Sequence, residues 1–185
     1  MHIQSLNSNV HNNWRLCRLG DDKYYDAKVP GSVHVDLMQA GVIPDPFVGV
    51  NELRVQWVGE TDWLYRLSFD AEAEIMNSSS VFLECDGLDT IATIKINGDE
   101  VAHTDNMFRR YRFDVKDTIK PDGNIIEVEF KSPVNTVKAK IGQGNVITPG
   151  DSIEGSPYIR KAMYQWGWDW APKIPTSGIW KEIRL

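Results

Sequence analysis

"TIKINGDEVAH", residues 93–103, sets Asn97-Gly98 between two runs rich in β-branched residues. Asn and Gly tolerate the positive φ that both central positions of a type I′ turn require, and that turn's twist matches antiparallel strands. The stretch therefore predicts a β-hairpin, and the same grammar extends on both sides of it. Downstream, "FRRYRFDV" (108–115) and "IIEVEFK" (125–131) are strand candidates, with "KPDGN" (120–124) as the turn between Ile119 and Ile125. Upstream, "VFLEC" (81–85) is another. "DWLYRLSFD" (62–70) alternates Trp63, Tyr65, Leu67 and Phe69 against Leu64, Arg66 and Ser68, the period of a strand with one buried face. "GIWKEIRL" (178–185) is expected to close the domain as one strand, with Ile179, Lys181, Ile183 and Leu185 on a common face.

Many short strands separated by turn signals, without alternating helices, predict an all-β fold built as an antiparallel sandwich. One short helix is expected near residues 32–40, in "GSVHVDLMQAG" (31–41). Ser32 stands at its N-cap, Gly41 beyond its C-terminus, and Val33, Leu37 and Ala40 form its apolar stripe. A second helical turn is possible at "NELRVQW" (51–57). Residues 133–157 include "GQGNVITPGDSIEGSP" (142–157) and read as a long loop. Such a loop in a compact domain is usually functional or disordered.

The chain has 185 residues, 42% of them hydrophobic and 25% charged, and residues 1–185 are read as a single domain. No apolar run is long enough to span a bilayer, so no membrane role is expected. The start, "MHIQSLNSNVHNN", has no basic segment followed by an apolar core. A cytoplasmic location follows if Met1 is native; otherwise a removed leader leaves the compartment open. The net charge of −6 argues against nucleic acid as a partner. The one basic cluster, Arg109 to Arg112, is followed by Asp114 and Asp117 and reads as a solvated or carboxylate-paired strand. Cys17 and Cys85 form no framework and are expected to be free, buried thiols. His2, His11, His34 and His103 match no metal-ligand spacing, and no cofactor motif is present, so neither metal nor cofactor is assigned.

The chemically distinctive stretch is "YQWGWDWAP", residues 164–172. A period of two would put Trp166, Trp168 and Trp170 on one face, around Asp169. Pyranose rings present apolar C–H faces that pack on aromatic rings, and their hydroxyls need fixed acceptors. Indoles flanking a carboxylate supply both. The competing account is that the indoles fill the core and Asp169 caps a turn, and the residues alone leave both accounts open, although a carboxylate between large apolar groups is costly to bury without a partner and so should face something polar. No catalytic residue is assigned. Asp151 and Glu154 lie in the preceding loop, but nothing commits a second carboxylate to pair with Asp169, and glycosidases work with two.

Longer motifs carry a resemblance. "VPGSVHVDLMQAGVIPDPFVGVNELRVQWVGETDWLYR" (29–66), "DNMFRRYRFDV" (105–115) and "SPYIRKAMYQWGWDWAPKIPTSGIW" (156–180) resemble β-mannosidases of glycoside hydrolase family 2. The likeness runs from about Trp14 to Leu185. It implies the N-terminal sugar-binding domain, a jelly-roll β-sandwich like the galactose-binding domains. The implied activity of the parent protein is hydrolysis of terminal non-reducing β-D-mannose residues from β-mannosides. Its two catalytic glutamates would lie in a (β/α)8 barrel outside this sequence, so the chain alone is expected to be inactive. The implied partners are a β-mannoside or mannose-containing oligosaccharide and the remaining domains of the parent enzyme. Trp168 and Asp169 match the residues that reach the terminal mannose; Arg160 and Lys161 also match and read as structural supports. Two alternatives come from other classes: a free-standing carbohydrate-binding module, and a protein-interaction sandwich anchored by its aromatics.

Overall fold

A computed structural model describes residues 2–144, 146–148, 150, 152–168 and 171–185. Thirteen strands are present among the described residues. In chain order they are β1 (Trp14–Arg18), β2 (Tyr25–Ala27), β3 (Trp63–Phe69), β4 (Phe82–Cys85), β5 (Leu88–Asp89), β6 (Ala92–Ile96) and β7 (Asp99–Thr104). There follow β8 (Tyr111–Asp114), β9 (Asn124–Phe130), β10 (Trp166–Trp168), β11 (Ala171–Lys173), β12 (Gly178–Ile179) and β13 (Ile183–Arg184). One antiparallel sheet has the order β2-β1-β3-β9-β6-β7. Against it stand the three-stranded β13-β4-β8 and the pair β12-β5, while β10-β11 forms a separate ribbon.

Period-two burial explains why the layers close. Along β9 every second side chain is buried, from Asn124 to Phe130, and β3 hides Trp63, Tyr65, Leu67 and Phe69 as its alternation predicts. These meet Leu83, Cys85, Leu88 and Ile183 from the other layer in one core. Tyr65 and Phe130 meet edge-to-face at 5.8 Å, and Trp14 satisfies its indole N–H on the Leu6 carbonyl at 2.7 Å. The all-β sandwich is therefore as expected. The Asn97-Gly98 turn joins β6 to β7 with φ of 54° and 92°. Cys17 and Cys85 are free and buried, and burial pushes the Cys85 thiol up to about 12.

Several expectations need correction. "GIWKEIRL" is two strands in two sheets. Gly178 pairs with Asp89 and Ile179 with Leu88, but Ile183 pairs with Cys85, so three residues oppose two. That is a bulge, and it leaves Lys181 exposed on what would have been the buried face. The bulge is where Trp180 lies so close to Gly87 that a Cβ there would sit 2.6 Å from its indole nitrogen. The expected loop at 133–157 begins with a helix, Pro133–Lys138, whose Ser132 hydroxyl accepts from Asn135 N. Among the described residues a further helical segment not expected from the sequence is Ala73–Met76, two 3-10 turns lie at Ser156–Tyr158 and Met163–Gln165, and the helical turn expected at "NELRVQW" is present as Asn51–Arg54 and Gln56–Gly59.

The expected helix spans Val33–Gln39, and Gly41 closes it at φ +67. Gly41 N reaches Met38 O and Val42 N reaches Leu37 O, the paired bonds of a Schellman ending. Its buried stripe differs from the expected one: Val33 and Leu37 are joined by His34 and Asp36, and Ala40 is exposed. Ser32 has the extended backbone of an N-cap, but its hydroxyl makes no capping bond. The segment 176–177 supplies the acceptors instead, with Val33 N on Ser177 O at 2.9 Å and His34 N on Thr176 Oγ1 at 3.5 Å.

Candidate functional site

The segment that leaves the sandwich after Pro133–Lys138 and returns at β12 carries the tryptophans. β10 and β11 pair antiparallel, Trp166 opposite Lys173 and Trp168 opposite Ala171. The period-two expectation fails here. Trp166 has φ −93, ψ −1, and Gly167 has φ +95, so the chain is not extended at either residue. Trp166 is fully buried against Val134, Val137 and Ile159, as the packing account expects, and among the described residues its Nε1 has no acceptor. Trp168 is 36% exposed. Its indole lies against Gly150, where a Cβ would come within 3.3 Å of Cζ3. Asp169, Trp170 and Asp151 lie outside the described residues. Glu154 is exposed.

Side chains remote in sequence hold this ribbon. Ser152 Oγ donates to Gly167 O at 2.9 Å, and Ile153 N to Trp166 O at 3.0 Å, which ties the preceding loop to β10. On the other strand, Lys173 N donates to Glu52 Oε1 at 2.8 Å, and Gln56 Nε2 donates to Lys173 O at 2.7 Å. The turns expected at "NELRVQW" thus serve as a clamp on β11.

Beneath the ribbon lies a buried polar network. Lys161 Nζ pairs with Asp89 Oδ2 at 2.5 Å and donates to Thr176 O at 2.7 Å. Gln165 Nε2 also reaches Asp89 Oδ2 at 3.0 Å, while its Oε1 accepts from Thr176 N at 3.1 Å. Burial lowers the Lys161 ammonium from its usual value, and Asp89 pulls it back up. Arg160 is exposed, and its carbonyl accepts from Met107 N. A cleft of about 380 Å³ opens above, with Asp89, His34 and Gln165 in its floor and Phe47, Met107 and Tyr164 in its walls.

His34 is 6% exposed and pairs Nδ1 with Thr176 Oγ1 at 2.9 Å. Burial, and then the Lys161 charge, lower its pKa from 6.5 to about 4. The neutral ring is thus favoured in the fold. Its contribution is present above pH 6.5 and is lost as pH falls towards 4, by at most about 3 kcal/mol. Asp36 opposes it. Burial raises that carboxyl to about 6, despite bonds from Lys28 N and Tyr65 OH, so its contribution is lost as pH rises from 3.8 through 6. Urea unfolding of His34→Asn should therefore show stability relative to the parent improving by about 2–3 kcal/mol between pH 6.5 and 4. A difference constant with pH would refute the assignment.

Sequence reasoning did not find Asp89, His34, Gln165 or Glu52, because their partners are distant in the chain. Two charge expectations can also be placed. Arg110 and Arg112 are carboxylate-paired, but with Asp86 and Glu84 across the sheet. The histidine spacing gave no metal signal, yet the fold gathers His2, Glu72 and Glu74 at the exposed surface, with their ligand atoms within 4.8 Å of one another.

Residues 14–181 match the family model described as "Glycosyl hydrolase 2 galactose-binding domain-like". The crystal structure of a β-D-mannosidase from Dictyoglomus thermophilum superposes on 100% of this chain with a TM-score of 0.92 and 42% identity, using 22% of that chain. A "Beta-mannosidase B" of Emericella nidulans is 40% identical over 162 residues, 85% of this chain and 19% of its own length. A β-mannosidase of Bos taurus is 35% identical over 184 residues, 95% of this chain and 21% of its own length. An exo-chitosanase from Amycolatopsis orientalis shares the fold alone, at 18% identity and a TM-score of 0.70. The chain spans about a fifth of the length of the β-mannosidases it matches.

Proposed function

This chain belongs to the glycosyl hydrolase 2 galactose-binding domain-like family, and on that premise we propose that it forms part of the sugar pocket of a β-mannosidase. The substrate class is β-mannosides with terminal non-reducing β-D-mannose. Supporting this reading is the likeness to the Dictyoglomus thermophilum β-D-mannosidase over the whole chain, which extends through the tryptophan ribbon. Hydrolysis of a glycoside needs two carboxylates flanking the scissile bond, and in this reading both lie outside these 185 residues.

The domain's own contribution is recognition. Trp168 gives a partly exposed indole face to the apolar side of a pyranose. Asp169, the next residue, accepts from the sugar hydroxyls. The clamp from Glu52 and Gln56 and the network around Asp89 keep the ribbon where the sugar meets it.

The test is made in the longer enzyme that carries the domain. A hydrogen bond to a charged group is worth roughly 1.5–3 kcal/mol, so Asp169→Ala should lower kcat/KM at least about tenfold. If that bond strengthens as the ring flattens towards the oxocarbenium-like state, kcat falls with it. The melting temperature should hardly move. The 185-residue chain alone should release nothing from an aryl β-mannoside. An Asp169→Ala enzyme with intact kcat/KM and a loosened fold would make the aspartate a structural cap and remove the sugar-contact role.

A further inference from the structure

A row of charged side chains crosses the solvent face of the six-stranded sheet. Asp26, Arg15, Arg66, Glu127, Lys95 and Glu100 stand opposite one another in turn, on β2, β1, β3, β9, β6 and β7. Opposite charges directly across strands stabilise a sheet, and like charges oppose it. The row alternates in sign everywhere except at Arg15 and Arg66, two arginines on neighbouring strands. Their flanking carboxylates hold them loosely: Arg15 Nε comes to 3.5 Å from Asp26 Oδ1, and Arg66 Nη1 to 3.4 Å from Glu127 Oε1. Arg15 Nε is enclosed, yet at that distance it makes no aligned hydrogen bond among the described residues. Arg15 Nη2 donates to Tyr24 O at 3.3 Å. Lys95, by contrast, pairs closely with Glu129 at 2.5 Å. Neither arginine makes the two-pronged carboxylate pair for which its five N–H donors are laid out.

A groove of about 440 Å³ lies at that break in the alternation, lined by His11, Asn13, Arg15, Tyr24, Arg66 and Ser68. Every one of these side chains can donate a hydrogen bond, and no carboxylate is among them. His11 and Ser68 also border a second groove with Gln4, Asn9, Asn12 and Asp70, so polar groups continue beyond the arginines. We propose that the groove binds an acidic sugar, with its carboxylate between Arg15 and Arg66 and its hydroxyls on Asn13, Ser68 and His11. An anion there restores the alternation of the row and takes the forked N–H groups that Asp26 and Glu127 leave over. None of the groove's residues lines the cleft beside the tryptophan ribbon, so this is a site apart from the proposed mannose pocket. The sugar half of the assignment rests on the proposed function, which makes a glycan the molecule this domain meets. The anion half stands without it.

Ligand-detected NMR titration of the longer enzyme that carries the domain tests this, with D-glucuronate, acetate and D-glucose as probes. The signal that belongs to the groove is the part lost in Arg15→Gln/Arg66→Gln. D-Glucuronate should lose its binding in that variant, and raising the salt should weaken it in the parent. Acetate, which has the carboxylate alone, should bind the groove at least about fivefold more weakly than glucuronate. D-Glucose, which has the ring without the charge, should behave identically in parent and variant. Asn13→Ala should weaken glucuronate at least about threefold and leave acetate unchanged. If the glutamine variant melts below the parent, Arg15→Lys/Arg66→Lys gives the reading instead. It keeps both charges but removes the forked N–H groups, and it should still weaken glucuronate at least about fivefold. Glucuronate binding that survives both double variants would overturn the proposal, as would no binding to the parent. Equal affinity for acetate and glucuronate would overturn the assignment to a sugar. Failure of glucuronate binding with mannoside turnover intact rejects this site alone, and binding without any mannoside turnover rejects the proposed function alone.

Discussion

Lys161→Met is expected to destabilise the fold by about 3–5 kcal/mol, because it leaves the buried Asp89 carboxylate without its counter-charge. Both side chains are enclosed, Lys161 at 0% and Asp89 at 3% exposure. Water cannot replace the lost partner, and Gln165 Nε2 and Thr90 Oγ1 supply only neutral donors to the carboxylate. For a domain of this size the melting temperature should fall by roughly 2–4 °C per kcal/mol. The double variant Lys161→Met/Asp89→Asn should recover much of the loss, since a neutral amide needs no counter-ion and can still accept from Gln165. If the double variant is no more stable than the single one, lost packing explains the result and the ion pair does not. The consequence reaches the site, because Gln165 bonds both Asp89 and Thr176 N and Lys161 holds Thr176 O. Loosening that network frees the base of the ribbon that carries Trp168.

That pair also shows where reading a sequence stops. The β6–β7 hairpin was legible because its information is local: two turn residues and two alternating runs suffice. Helix Val33–Gln39 was legible from Ser32 and Gly41, but its buried stripe was not. His34 turns inward to Thr176, which approaches from the far end of the chain, and Asp36 turns inward to Lys28 N and Tyr65 OH, while Ala40 is left outside. The helix at 133–138 was missed beneath a glycine-rich stretch, although Ser132 followed by Pro133 is a helix-start signal. The sheet order was out of reach, since β9 inserts between β3 and β6 and no local rule dictates that. At the site, the tryptophan motif announced itself. Its geometry did not, because Gly167 at φ +95 cancels the alternation on which the common indole face depended. Asp89 and Lys161 stand 72 residues apart, and neither has a neighbour that names the other.

Gly178→Ala should be as damaging by a different route. The segments 31–33 and 177–179 come from opposite ends of the sequence and meet backbone to backbone, with Gly31 N on Ile179 O at 2.8 Å and Val33 N on Ser177 O at 2.9 Å. Gly178 has φ +151, and a Cβ there would lie 2.8 Å from Gly31 O and 2.9 Å from Ser32 Cα. The strained backbone costs about 1–3 kcal/mol, and the overlap with main-chain atoms adds about 1–3 kcal/mol because neither can rotate away. Relief requires moving the start of helix Val33–Gln39, and with it His34 in the floor of the cleft. Gly123→Ala separates the two contributions: its φ is +66, but nothing lies within 4 Å of a Cβ, so only the conformational cost of about 1 kcal/mol remains. Thermal or urea unfolding of the two variants side by side should therefore place Gly178→Ala well below Gly123→Ala. Equal losses would mean that the two segments can separate freely, and that the contact between them does not hold the cleft in shape.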